Sequence, residues 1–143
     1  MFRRQFDEIL QSASAGTTIA VAGASNHPLK YGYIITQFLN IQGYTVWPVT
    51  DEDEQIQRLT TYNSLMSLPA APDILNVVTP PRTTLHLIRD AVTLGCKKVW
   101  LQPGSFNGAV LREAAMSGML VESQRCIMVV SAQWVGEPAA PTR

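Results

Sequence analysis

Short apolar runs alternate along the chain with longer stretches of helical periodicity, and glycines, prolines or polar residues separate them. Thr18-Ile19-Ala20-Val21-Ala22 is rich in β-formers and stops at Gly23, the pattern of a buried strand. After a loop, Ile34, Ile35, Phe38, Leu39 and Ile41 recur with helical spacing up to Gly43. Tyr44-Thr45-Val46-Trp47-Pro48-Val49 predicts a second strand, and the acidic, polar stretch from Asp51 to Arg58 predicts a mobile loop. Ser64-Leu65-Met66-Ser67-Leu68-Pro69 predicts one helical turn, capped by Ser64 and stopped by Pro69. A third strand, Asp73 to Val78, ends at Thr79-Pro80-Pro81. Leu85, Ile88, Ala91 and Val92 then form the inner stripe of a helix that closes at Gly95. Lys98 to Gln102 predicts a fourth strand. Asn107 predicts the N-cap of a helix that turns Val110, Leu111, Ala114 and Ala115 inward and ends at Gly118, before a fifth strand over Met119-Leu120-Val121. Ahead of all this, Phe2, Phe6, Ile9 and Leu10 give residues 1–13 the pattern of a short amphipathic helix.

The recurring order of helix, glycine and strand, at Gly43, Gly95 and Gly118, implies right-handed βαβ crossovers, each glycine stopping a helix in the left-handed conformation. The fold class that follows is α/β: a Rossmann-like, doubly wound three-layer αβα domain around a five-stranded parallel sheet, expected in the order 3-2-1-4-5. One domain is expected over residues 1–134, with residues 135–143 as a flexible tail. In that order the loops after strands one and four face each other across the switch point, where doubly wound sheets bind ligands.

With 143 residues, 46% hydrophobic content and a formal net charge of zero, the chain has the makings of one buried core and no basic excess for tracking nucleic acid. No apolar run reaches membrane-spanning length, and the first ten residues lack the apolar core of a signal peptide, so a cytoplasmic protein with no membrane or nucleic-acid partner is expected. Cys96 and Cys126 show neither C-x-x-C spacing nor paired histidines; two reduced thiols and no metal site are expected. His86 falls on the outer side of its helix. Arg125 beside Cys126 is either a modulator of that thiol or a strand-end arginine next to a packed cysteine. Trp47 and Trp100 are expected in the core. Trp134 is a candidate to dock the tail or to form a self-association patch, which leaves a homo-oligomer open.

The chemistry concentrates in the loop after the first strand, Gly23-Ala24-Ser25-Asn26-His27-Pro28-Leu29-Lys30-Tyr31-Gly32. Gly23 permits a sharp turn and close approach of a ligand, and on this reading it serves binding far more than folding. Ser25 adds a hydroxyl, Lys30 a positive charge, and the helix beginning near Tyr31 and Gly32 offers amide donors suited to a pyrophosphate. Gly-Ala-Ser after a strand is also compatible with a plain tight turn. The dinucleotide signature G-x-G-x-x-G is absent, and the second strand ends in Pro48-Val49-Thr50 with Asp51 one place further on, which disfavours NAD. Ser25 has His27 nearby but no acid evidently placed to orient it, so no catalytic constellation is expected.

Taken in order, Val21-Ala22-Gly23-Ala24-Ser25, Tyr31-Gly32, Val46-Trp47-Pro48-Val49, Tyr62-Asn63-Ser64-Leu65, Val99-Trp100-Leu101-Gln102-Pro103-Gly104 and Arg125-Cys126-Ile127 resemble the small stand-alone CoA-binding domain proteins. These are similar to the nucleotide-binding domain of the succinyl-CoA synthetase α subunit. The resemblance implies coenzyme A or an acyl-CoA held by a non-catalytic binding, carrier or sensor domain. It implies phosphates on Gly23, Ala24, Ser25, Lys30, Tyr31 and Gly32, and an ADP part bordered by Pro48, Val49 and Thr50. Thr79, Pro80 and Pro81 would wall the adenine side, and Gln102 and Gly104 would flank the pantetheine entry. The chain departs from the family pattern in Val49-Thr50-Asp51, where relatives carry Val-Asn-Pro, and in Thr79-Pro80-Pro81-Arg82. An NAD(P)-dependent enzyme or other nucleotide-binding protein, and an interaction subunit with a vestigial nucleotide site, remain the alternatives.

Overall fold

The computed structural model describes residues 16–51 and 55–135, so the helix expected over residues 1–13 lies outside the described residues. The expected tail does too, except for Val135, which ends a helix. The β-rich runs form β1 (Thr18–Ala22), β2 (Thr45–Val49), β3 (Ile74–Val77), β4 (Lys98–Leu101) and β5 (Leu120–Glu122), all paired in parallel. The helices are α1 (Tyr31–Gln42), α2 (Pro81–Leu94), α3 (Gly108–Met116) and α4 (Ile127–Val135), and a 3-10 turn, Leu65–Ser67, lies between β2 and β3. Gly43, Gly95 and Gly118 all take positive φ as the helix–glycine–strand rhythm requires. Asn107 caps α3 as expected, its side chain accepting from the Val110 amide.

The sheet order is β2-β1-β3-β4-β5, which corrects the expected 3-2-1-4-5 while keeping the parallel, doubly wound class. All four residues of β3 are buried, so this strand needs neighbours on both edges and helices on both faces, whereas β2 leaves Thr45 and Trp47 half-exposed and suits an edge. A reciprocal clamp pins β3 against β1. The Thr18 amide donates to Asp73 Oδ2 at 2.9 Å, and the Asp73 amide donates to Thr18 Oγ1 at 2.9 Å.

One face of the sheet places Ile19, Val21, Ile74 and Trp100 against Ile35 and Leu39 of α1 and Ile127 and Val130 of α4. The other places Ala20, Ala22, Leu75, Val77 and Leu101 against Leu65, Ile88 and Ala91 of α2's side, and Val110 and Ala114 of α3. Each large aliphatic side chain so buried stabilises the fold by roughly 1.5–3 kcal/mol relative to exposure. Asn76, fully buried in β3 in register with Val21 and Trp100, is the polar exception; neither amide atom has a hydrogen-bond partner among the described residues.

Several local expectations change. Helix α4 was not expected, because Ile127-Met128-Val129-Val130 is an apolar run without clear periodicity; tertiary contacts decide it. The Gln102 side chain accepts from the Ile127 amide at 3.2 Å, and Trp100 Nε1 donates to the Arg125 carbonyl at 2.7 Å. Val92, Ala115 and Ile41 face solvent, since the buried line of each helix is narrower than its apolar stripe. Ser64 makes no side-chain cap; instead the Ser67 hydroxyl donates to its carbonyl.

Candidate functional site

The corrected strand order moves the switch point to the β1–β3 boundary, so the loop after β3, not the one after β4, faces the loop after β1. A cavity of about 460 Å³ opens there. The β1 loop contributes Gly23, Ala24, Ser25 and Lys30, and the end of β2 contributes Val49, Thr50 and Asp51. The lining also takes Thr79, then Thr83, Leu87 and Asp90 from α2, and Asn63, Ser64 and Leu65 from the segment around the 3-10 turn.

The β1 loop is tied to β2. The Val49 carbonyl accepts from both the Gly23 amide (3.0 Å) and the Ala24 amide (3.2 Å), so these two donors are engaged by the protein itself. Gly23 has φ +95°, and a Cβ there would lie 2.7 Å from Val78 Cγ2 and 3.1 Å from Thr79 Cγ2. The requirement for glycine at this position is therefore set by packing against β3 and by backbone conformation, and the expectation that Gly23 serves binding more than folding is revised. Gly32 carries a comparable constraint. A Cβ there would overlap the Gly23 carbonyl oxygen and stand 3.0 Å from Ala24 Cα, which means that the first turn of α1 packs directly on the loop backbone.

Ser25 is buried, and its hydroxyl accepts from the His27 amide at 3.0 Å. His27 Nδ1 accepts from the Leu29 amide at 3.4 Å, so the imidazole is turned along its own loop. Lys30 is the extended residue ahead of α1 and supplies no side-chain cap. The Tyr31 and Gly32 amides have no acceptor among the described residues and, with the positive end of the helix dipole, form the donor set beside the cavity.

Gly23, Ala24, Ser25, Lys30, Val49, Thr50 and Thr79 are thus brought together around the cavity, and Tyr31 and Gly32 adjoin it through α1. Pro48, Pro80, Pro81, Gln102 and Gly104 do not line it. The Pro48 carbonyl accepts from the Tyr62 amide, while Pro80 and Pro81 begin α2. Gln102 is buried, its amide divided between the Ile127 N–H and the Cys126 sulfur, 3.6 Å away. Gly104 is exposed beyond β4.

Sequence reasoning had not assigned Asn63, Ser64, Leu65, Thr83, Leu87 or Asp90 to the site. Thr83, Leu87 and Asp90 share one helical face by their spacing, the one signal available, but spacing does not say what that face meets. Arg125 proves to be held by Glu122, a carboxylate 2% exposed, with Nε and the guanidinium NH2 each 2.8 Å from Oε1, and it stacks over Trp100 at 5.6 Å. Burial pushes the Tyr44 phenol and the Cys96 thiol above their ordinary values.

A five-stranded parallel sheet with helices on both faces, a glycine turn after its first strand and a helix N-terminus at the switch point define a Rossmann-like α/β domain. Residues 17–132 match the family described as CoA binding domain, and the chain belongs to that family. Over 89 residues, 62% of its length, it is 33% identical to the ADP-forming acetate–CoA ligase II subunit alpha of Pyrococcus furiosus, and the matched stretch is 20% of that subunit. The chain thus spans about a fifth of that curated relative. A conserved hypothetical protein from the same organism has a similar structure, with 39% identity, a TM-score of 0.75, and coverage of 79% of this chain and 97% of that one. A Thermus thermophilus protein is also similar, at 29% identity and a TM-score of 0.81 over 94% of this chain and 99% of its own. No helix among the described residues is long and apolar enough to cross a membrane.

Proposed function

We propose that this chain binds coenzyme A or an acyl-CoA across the β1–β3 switch point, as a binding, carrier or sensor domain without chemistry of its own. The observation that carries this reading is Lys30 in the cavity lining, directly ahead of the positive end of α1 and of the Tyr31 and Gly32 amides, which have no acceptor among the described residues. A pyrophosphate is the group such a donor set suits, and membership of the CoA binding domain family supports coenzyme A as the nucleotide that brings it. In this arrangement Ser25, Lys30, Tyr31 and Gly32 hold the pyrophosphate, while Gly23 and Ala24 shape the loop beneath it. Val49 and Thr50 border the ADP part and Thr79 the adenine side. Gln102 and Gly104 stand outside this cavity, and Gln102 acts through its hold on α4. The cavity volume falls within the ordinary range for small-ligand sites.

A non-catalytic role is supported by the geometry of the one nucleophile in the loop. Ser25 Oγ bonds a backbone amide and His27 Nδ1 bonds another, so the pair is not joined as nucleophile and base. Thermal melting with and without CoA tests the binding. A ligand at ~100-fold excess over its dissociation constant adds ~2.7 kcal/mol of apparent stability. An unchanged melt in millimolar CoA together with a shift in NAD overturns the assignment. Steady acetyl-CoA hydrolysis that disappears in Ser25→Ala overturns the non-catalytic role.

A further inference from the structure

Coenzyme A carries two separate anionic groups, the pyrophosphate and a phosphate on the 3′ carbon of its ribose. The crevice answers one of them. Among the described residues that line it, Lys30 is the one basic side chain, and it directly precedes Tyr31 and Gly32, whose amides are the pyrophosphate donors of the proposed function. The remaining charged groups of the lining are both carboxylates, Asp51 and Asp90. Asp51 is exposed and lies two residues past Val49, the last residue of β2. At the end of this strand in doubly wound sheets an acid accepts hydrogen bonds from ribose hydroxyls, and a phosphorylated ribose calls for a cation instead. Asp90 comes to the cavity from α2. Neither carboxylate has an ion-pair partner among the described residues. The nearest basic neighbour in sequence, Arg89, reaches Glu113 at 3.7 Å, and Arg58 and Arg82 do not line the cavity.

We propose that Asp51, assisted by Asp90, makes this crevice select an ADP-containing ligand whose ribose hydroxyls are free, so that dephospho-CoA binds more tightly than CoA. This rests on the reading of the crevice as a CoA-type site and names which member of that ligand class it prefers. The free ribose hydroxyls donate to the carboxylates, whereas a 3′-phosphate sets a dianion beside them, and among the described lining residues the one cation, Lys30, is taken by the pyrophosphate. In a half-open crevice with solvent screening, that repulsion weakens binding about tenfold.

Isothermal titration of the full chain and of Asp51→Asn and Asp90→Asn, with CoA, dephospho-CoA, NAD and NADP at low and high salt, tests the proposal. Both substitutions remove a charge and keep the shape, so the folds can be checked by unchanged melting. The wild type is expected to bind dephospho-CoA about tenfold more tightly than CoA. Asp51→Asn should narrow that ratio to about twofold, chiefly by improving CoA, and salt should narrow it in the wild type. CoA binding at least as tightly as dephospho-CoA to the wild type overturns the proposal and leaves the CoA site standing. So does a ratio that neither substitution changes. Binding of NAD in preference to NADP, with neither pantetheine compound bound, refutes the CoA-type reading but upholds the selection for a free ribose. Absence of all nucleotide binding refutes both.

Discussion

Replacing Gly32 by alanine sets two effects of opposite sign against each other. Within a helix, alanine is better than glycine by roughly 0.5–1 kcal/mol, so propensity alone predicts a more stable protein. The structure predicts the reverse. The new Cβ overlaps the Gly23 carbonyl oxygen and stands 2.9 Å from the Gly23 carbonyl carbon and 3.0 Å from Ala24 Cα, so α1 must retreat by more than the few tenths of an ångström that the Ala24 contact alone would ask. The obstacle is backbone, so no rotamer change relieves it. The retreat would also disturb Ile35 and Leu39, which are fully buried against the sheet. Overpacking of this kind costs typically 1–3 kcal/mol, and a backbone clash belongs at the upper end, which leaves a net destabilisation of about 2 kcal/mol. For a chain of 143 residues that lowers the melting temperature by about 6 °C. Urea unfolding followed by circular dichroism measures it, with an unchanged m-value expected. Gly108→Ala is the control. It lies at the first position of α3, its nearest obstacle is Arg112 Nη1 at 3.8 Å, and it should be neutral or slightly stabilising. A Gly32→Ala protein as stable as the wild type, or more so, would refute the close packing of α1 on the loop.

Lys30→Ala should weaken CoA binding about three- to tenfold at low salt, with the deficit shrinking as salt rises; a deficit independent of salt removes Lys30 from the phosphate site. Arg125→Ala leaves the buried Glu122 carboxylate without its guanidinium and should cost about 2 kcal/mol or more, largely recovered by adding Glu122→Gln; equal losses in the single and double variants contradict the pairing. Stability should hold at neutral pH and fall in alkali. Burial raises the folded pKa of Cys96 and Tyr44 above their ordinary values of 9.0 and 10.0, so their contribution is complete below those values and is lost as pH climbs toward the raised ones. Tyr44→Phe should flatten the upper part of that decline, and an equally steep fall in the variant would assign it to other groups.

The sequence alone determined the parallel α/β class, the five strands, three of the helices and the loop after the first strand as one border of the crevice. These follow from local physics: apolar runs of strand length, helical periodicity, and glycines that end helices. It also carried the family, through ordered short motifs spread over most of the chain. Strand order was beyond it, because Ile74-Leu75-Asn76-Val77 is equally apolar wherever it sits, and only its pairing with both β1 and β4 places it at the centre. With that pairing came the partner loop of the crevice: Thr79 in place of Gln102 and Gly104, and the wall of Thr83, Leu87 and Asp90. Tertiary structure likewise decided α4, whose start is fixed by Gln102 and Trp100, 24 or more residues earlier in the chain. The steric constraint at Gly23 came the same way, since the atoms that exclude a side chain there belong to Val78 and Thr79 at a different strand's end. Periodicity records which face of an element is apolar; what that face meets is a property of the whole packed sheet.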